Sequence, residues 1–254
     1  MKIVAVIPAH LASVRFPRKI LFPFHGLPMI EHVRRRTLLS NTVSEVYVAT
    51  CDQEIADVVL GYGGNVIMTA NTHKNGTTRV AEAIKDIDCT HVMLLQGDEP
   101  LMLPRHLDAF VGAIVAEPNG DAWNATGPIE KEEELDRHSF VKCIIGKSEK
   151  ILYCFRRTPC YSDFEKQQEF VRKILGMIAY RKDFLISLTT IAESPIEQYE
   201  FIEQMRIIEN GFSLKSVPVN PSLPSINEPQ EAEIVLDYLR HSSEQRGLLE
   251  RISR

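Results

Sequence analysis

The chain lacks the features that mark membrane, secreted and nucleic-acid-binding proteins. No apolar run approaches the roughly 18 residues of a membrane span, and the N-terminal "IVAVIP" is too short, and too soon followed by charge, for a signal peptide. Its five cysteines are odd in number and form no C-x-x-C pair, which removes zinc-finger spacing and favours a reduced, cytoplasmic setting over a secreted one. Positive charge is not in excess: at a formal net charge of −5, nucleic acid is a poor partner, although a local basic cluster can still hold phosphates. The eight histidines show no metal-ligand spacing, and no Ser-His-Asp or Cys-His array stands out.

What remains is ordinary globular composition, 44% apolar and 25% charged over 254 residues, enough for one large domain or a domain with a smaller lobe. Strand and helix patterns alternate. "KIVAVI", "EVYVAT", "NVIMT" and "HVMLLQ" are continuous apolar runs of the kind covered on both faces. Between them "MIEHVRRRTLL" places Ile30, Val33, Thr37 and Leu38 on one helical face, and "DQEIADVVLGYGG" opens on Asp52 as a cap. "TRVAEAIKDI" and "PRHLDAFVGAIVAE" keep the same period. Such a series implies an α/β fold with a doubly wound, mostly parallel sheet and ligand groups just past the carboxyl ends of its strands.

The middle third changes character. "AWNATGPI", "FVKCIIG" and "KILYCFRR" are strands with few helices between them, so a smaller mixed-strand lobe is expected within 122–173 of a single 1–254 domain. "YSDFEKQQEFVRK" (161–173) is a loop or short helix before the strand "ILGMIAY". One strong helix is expected over "SPIEQYEFIEQMRIIENG", with Ser194 as cap, Pro195 first, Glu197 completing a capping box and Gly211 as stop. A strand at "LKSVPV" and a last helix, "EPQEAEIVLDYLRH", follow.

Three constellations carry chemistry. "PAHLASVRFPRK" follows the first strand, where doubly wound folds hold phosphates, and supplies Arg15 and Lys19 as a forked donor and a point charge. It has none of the glycines of a Walker loop or G-x-G-x-x-G, and a solvated basic loop is the other reading. "LLQGDEP" ends a strand on Asp98 and Glu99, either a seat for a hard cation beside phosphates or an acidic turn. "THKNGTTRVAE" enters a helix with hydroxyls, an amide and Arg79, which suits nucleotide contacts or plain capping. Lys142, the one charge in an apolar strand, points at a cleft or snorkels to solvent. "RRTP" (156–159) is a further basic spot.

Taken in order, these stretches resemble the 3-deoxy-manno-octulosonate cytidylyltransferases (CMP-Kdo synthetases). The likeness runs from "VIPAHLASVRFPRK" through "GLPMIEHV", "HKNGTTRVAEA", "LLQGDEP", "FVKCII", "ILYCFRRTP" and "ILGMIAYR" to "SPIEQYEFIEQMRIIENG", nearly the whole chain. It implies an enzyme that joins CTP to an eight-carbon sugar acid, releasing pyrophosphate for lipopolysaccharide assembly. Arg15 and Lys19 would hold the triphosphate and, with Asp98, carry catalysis. Pro8, Ala9, His10 and Ser13 would shape the base and phosphate cradle, joined by Asn75, Gly76 and Arg79 and by Gln96 and Gly97. Mg²⁺ would sit on Asp98 and on Asn227 or Glu228. Lys142, Arg157, Glu197, Gln198 and Gln204 would border the sugar. A homodimer through 122–173 is implied, with no membrane or nucleic-acid partner.

The departures from the family pattern are specific. His10 stands where the family has arginine, Arg18 where it has a glycine, and Asn75-Gly76-Thr77-Thr78-Arg79 where it reads Ser-Gly-Thr-Glu-Arg. Ile174 and Ile178 replace a histidine and a tyrosine, and Asn227 replaces a metal-binding aspartate. These changes gather on the sugar and metal sides, so the acceptor expected is a modified Kdo such as 8-amino-Kdo. The rivals are a neuraminate-type synthetase and a non-catalytic nucleotide-binding paralogue.

Overall fold

The β-branched run at the start of the chain forms the strand on which the first sheet is built, buried on both faces as its unbroken apolarity requires. The computed structural model describes residues 1–158 and 163–253. Its first half contains β1 (Ile3–Ala9), β2 (Pro23–Phe24), β3 (Leu27–Pro28), α1 (Met29–Thr37), β4 (Glu45–Thr50), α2 (Gln53–Gly61), β5 (Asn65–Met68), α3 (Gly76–Ala83), β6 (His91–Leu95) and α4 (Pro104–Ala116). There follow β7 (Ala122–Gly127), α5 (Glu133–Asp136), β8 (Lys142–Ile145), β9 (Ile151–Phe155), α6 (Phe164–Gln167), β10 (Val171–Arg181), α7 (Lys182–Leu188), α8 (Pro195–Glu200), α9 (Gln204–Glu209) and β11 (Leu214–Pro218). Finally come α10 (Glu231–His241) and α11 (Ser243–Ile252). The chain divides into one unit of Met1–Val111 with the stretch from Leu223 onward, and a second of Gly112–Ser222. The second unit is thus wider than the lobe expected within 122–173.

In the first unit β1 pairs in parallel with β4 on one side and β6 on the other, and β4 carries β5 beyond it. The chain winds outward from β1 through β4 to β5, then returns to the opposite edge of β1 with β6. The order reverses between β1 and β6, and at such a switch point the loops leaving the two carboxyl ends part and open a crevice.

The second unit is mixed, as its sequence suggested. β11 runs parallel to β7, whereas β7 with β10, β10 with β8 and β8 with β9 are antiparallel. Ile129, Leu135, Phe155 and Val171 form a small apolar cluster with Ile144, Tyr153, Phe164 and Phe170 packed against it.

Four local expectations are corrected. Leu38 lies just past α1, 54% exposed, while Glu31, Arg34 and Arg36 on that helix are buried, Glu31 held by Arg34 and Arg35. The single helix over 194–211 is two, because Phe201 takes a left-handed conformation (φ 54°). The apolar spacing continues across that break, and periodicity cannot register a change in one φ angle. Asp52 sits at the head of α2 without capping it. A final helix, α11, follows α10 after a single residue, Ser242, whose side chain accepts from Gln245 N. Among the described residues no helix is long and apolar enough to cross a membrane.

Candidate active site

The loops leaving β1 and β6 line a cleft of about 620 Å³ in the first unit. It is lined from β1 by Pro8, Ala9, His10 and Ser13, with Arg15 and Lys19 beyond them. Asn75, Gly76 and Arg79 line it from the head of α3, and Gln96, Gly97 and Asp98 from the turn after β6. The sequence-predicted nucleotide and catalytic residues therefore share one cavity, at the strand ends where the topology opens it.

Each loop is tied down by its own polar groups. Leu11 N donates to Asp52 Oδ2 at 2.9 Å, so the carboxylate that fails to cap α2 instead fixes the loop after β1. Lys19 Nζ lies 2.5 Å from Asp98 Oδ2 and donates to Ile226 O at 2.9 Å, and Ile226 N returns a bond to Asp98 O at 2.9 Å. Arg15 donates to Asn227 Oδ1 at 3.2 Å. The strand-one loop, the Asp98 turn and the Ser225–Asn227 stretch thus meet at one cluster of two cations, one carboxylate and one amide. Glu228 is exposed at the approach to α10, with its amide donating to Glu231.

Two glycines permit this closeness. A Cβ on Gly97 would lie 2.4 Å from Ile20 Cδ1, and one on Gly76 would lie 3.0 Å from Pro8 Cγ. At α3, Asn75 caps the helix by accepting from Thr78 N at 3.0 Å, and the head of the helix lines the cleft. Arg79 is buried and donates to Thr69 Oγ1 at 2.6 Å, so it anchors the segment before α3. His73, which sequence reading passed over, accepts or donates at Thr78 Oγ1 (3.1 Å) and bonds to Glu82, whose carboxyl is thereby held below its usual range. Asp52 reads in the sequence only as a helix cap, and His73 lies inside the loop before α3 without a role of its own; the tertiary contacts give both their part.

The family departures have local consequences. Arg18 occupies a left-handed conformation (φ 60°), the backbone state that suits the family's glycine, and it reaches Glu54 on α2 instead of the cleft. Burial, and after it the nearby Arg79 guanidinium, holds His10 below the ordinary imidazole range, leaving the ring neutral at pH 7.

The acceptor candidates fall in the second unit. Lys142 does not snorkel: it is fully buried, and its ammonium donates to the carbonyls of Arg137 (3.0 Å), Phe140 (2.9 Å) and Arg156. Burial pushes it down to about 8. Glu197 completes the expected capping box with Ser194 and forms a two-pronged pair with Arg206 at 2.7 and 2.6 Å, so its carboxylate joins α8 to α9. Gln198 is exposed and donates to Glu193 O at 3.2 Å. Gln204 is half-buried and donates to Asn124 Oδ1 at 3.0 Å. Arg157 is exposed; Pro159 of the same basic stretch, and Tyr161 and Ser162 of the segment that follows, lie outside the described residues, as does Cys160.

Among the described residues no three His, Cys, Asp or Glu side chains are grouped to hold a metal. Asp98 and Asn227 offer one carboxylate and one amide oxygen, a donor set that suits a hard cation which takes the rest of its shell from phosphates and water.

Known proteins share this sequence and this fold. Residues 4–217 match a family model described as cytidylyltransferase. The 3-deoxy-manno-octulosonate cytidylyltransferase of Geobacter metallireducens is 36% identical over 251 residues, covering 94% of this chain and 98% of that protein. The enzyme of the same name from Chlorobium limicola is 35% identical over 249 residues, covering 96% and 99%. Among solved structures, a CMP:2-keto-3-deoxy-manno-octonic acid synthetase complexed with CTP superposes with a TM-score of 0.88 at 32% identity, covering 94% of this chain and 99% of that one. A Leptospira borgpetersenii cytidylyltransferase shares the fold at a TM-score of 0.66 and 17% identity, covering 100% and 94%.

Proposed function

The chain belongs to the 3-deoxy-manno-octulosonate cytidylyltransferase family, and on that premise we propose that it couples CTP to Kdo or a close analogue such as 8-amino-Kdo, releasing pyrophosphate and supplying a CMP-sugar for lipopolysaccharide assembly. The observation that carries the reading is the convergence of Arg15, Lys19, Gly97 and Asp98 on one cleft at the switch point of the parallel sheet.

In this reading Arg15 and Lys19 bind the triphosphate, one as a fork and one as a point charge, and neutralise charge that builds on the leaving pyrophosphate. Gly76 lets the head of α3 pack against Pro8, and that helix end offers the nucleotide its backbone, with Pro8, Ala9 and Ser13 forming the facing wall. Gln96, exposed at the strand end, presents its amide to the nucleotide. The acceptor's anomeric hydroxyl attacks the α-phosphorus, and the protein's main contribution is to hold the two reactants in line. A divalent metal on Asp98 and Asn227, which we take to be Mg²⁺, would supply charge neutralisation on the phosphates and ease loss of the hydroxyl proton.

The acceptor contacts are assigned to Gln204 and Arg157, with Glu197, Gln198 and Lys142 holding the backbone around them. Replacement of an imidazole and a phenol by Ile174 and Ile178 supports a changed acceptor, because loss of hydrogen-bonding groups from a pocket alters discrimination strongly. A cytoplasmic setting belongs to the same reading, supported by an odd number of cysteines with no C-x-x-C pair. The homodimer through 122–173 belongs to the same reading, and sedimentation velocity tests it.

The decisive assay is pyrophosphate release from CTP and Mg²⁺ with Kdo, 8-amino-Kdo and N-acetylneuraminate in parallel, against sugar-free controls. Turnover with Kdo or its amino analogue is expected. Turnover with N-acetylneuraminate alone would identify a neuraminate-type synthetase, and CTP binding without turnover a non-catalytic paralogue.

A further inference from the structure

Asn124 is a fully buried amide in the middle of β7. A buried amide there is costly unless every polar atom finds a partner. Its partners are unusual. The pairing of β7 with β10 slips at this point: Ile174 lies opposite Thr126 and Ile178 opposite Asn124, so four steps along β10 span two along β7. The surplus backbone at 175–177 forms a bulge outside the regular register, and Asn124 Nδ2 fills it, donating to Leu175 O (3.1 Å) and Met177 O (3.2 Å) and to its neighbour Ala125 O (2.9 Å).

Those three carbonyls decide the orientation of two side chains. An amide oxygen cannot face three acceptors, so the nitrogen of Asn124 must lie on the bulge side and Oδ1 on the other. Oδ1 accepts from Gln204 Nε2 at 3.0 Å, which fixes the second amide in turn. Gln204 Oε1, which accepts no hydrogen bond from any described residue, is then the atom Gln204 presents to a ligand. No rotation of the glutamine amide can offer an N–H there without breaking the bond to Asn124.

We propose that Asn124 is a positioning residue that locks Gln204 as an obligate acceptor, so that the sugar acid is read at this point through a hydrogen-bond donor, a hydroxyl or an ammonium. The inference rests on the assignment of Gln204 to the acceptor site and names the chemistry it recognises. Bulges re-aim side chains near functional sites, and this one is held by a side chain whose remaining bond goes to a candidate contact.

The test is a double-mutant cycle on the full-length enzyme, with initial rates of pyrophosphate release measured while CTP and Kdo or 8-amino-Kdo are each varied. Asn124→Thr removes the amide but keeps a strand-compatible, β-branched residue. Asn124→Thr and Gln204→Ala are each expected to raise the sugar KM about tenfold while the CTP KM stays within about twofold, and the double variant to be no worse than Gln204→Ala alone. Losses that multiply in the double variant, or an equal rise in both KM values, would reduce Asn124 to a structural role and overturn the inference. If Gln204→Ala leaves the sugar KM unchanged, the assignment of Gln204 fails first and is seen to fail. Wild-type enzyme silent with both acids overturns both. Should Asn124→Thr not fold, Gln204→Glu decides with Kdo: it keeps the acceptor but cannot donate to Asn124, so a raised KM is expected and an unchanged one overturns the lock.

Discussion

Lys19 Nζ stands 2.5 Å from Asp98 Oδ2, with both side chains largely buried at 16% and 20% exposure. One residue comes from the loop after the first strand of the parallel sheet and the other from the turn after β6, so a single ion pair closes the cleft where the strand order reverses. In a partly desolvated setting the pair is worth more than a surface bridge, and removing one partner leaves the other uncompensated.

Asp98→Asn should therefore lower kcat by about 100-fold or more, the usual scale for loss of a charge-organising group, with the CTP-induced rise in melting temperature retained. Lys19→Met should instead raise the CTP KM and weaken that rise. Steady-state kinetics beside thermal shift separates the two, and the same phenotype from both would remove the division of labour drawn here.

Asn227 tests the metal seat. Asn227→Asp adds charge where the amide oxygen now accepts from Arg15 at 3.2 Å. The Mg²⁺ concentration giving half-maximal pyrophosphate release should fall about tenfold, since carboxylate count tunes affinity for hard cations. An unchanged Mg²⁺ titration would detach Asn227 from the metal.

The Gly97–Ile20 contact makes a packing prediction. Gly97→Ala places a methyl 2.4 Å from Ile20 Cδ1, overpacking that costs about 1–3 kcal/mol. Ile20→Val removes that methyl, so the double variant should recover much of the loss, although Ile20→Val alone costs about 1 kcal/mol. Urea denaturation of the two single variants and the double checks the coupling.

Stability on the acid side should depend on His32. Its Nε2 bonds to Phe24 O at 2.7 Å, its Nδ1 is buried without a partner among the described residues, and burial pushes the ring down to about 4. The folded chain refuses a proton that the unfolded chain takes up near the ordinary value of 6.5. This contribution is complete above pH 6.5 and is lost as pH falls toward 4, amounting to about 3 kcal/mol by then. His32→Gln keeps a donor for Phe24 O, and the difference in melting temperature between wild type and this variant should shrink steadily from pH 7 to pH 5. A difference independent of pH would assign the acid loss to other groups.

Legibility in the sequence followed the range of the interactions involved. The unbroken apolar runs at Ile3–Ala9 and His91–Leu95, short and in series with helical patterns, read as strands covered on both faces, and the charges that follow them as loop residues past strand ends. That was sufficient to assign the parallel sheet and to group Arg15, Lys19 and Asp98 before any contact was known. Glu197 is the instructive partial case: its capping box was readable because it spans three residues, while its pairing with Arg206 was hidden because it depends on the turn at Phe201.

Local pattern governs the alternation of strands and helices, the capping box at Ser194 and the residue types delivered to the carboxyl ends of the strands. How polar groups distant in the chain are satisfied depends on long-range packing. Asp52 holds Leu11 instead of capping its own helix, Lys142 is enclosed by three carbonyls, and Asn124 fills a bulge and turns Gln204. A buried donor or acceptor must find a partner wherever the fold brings one, and sequence separation places no limit on where that is.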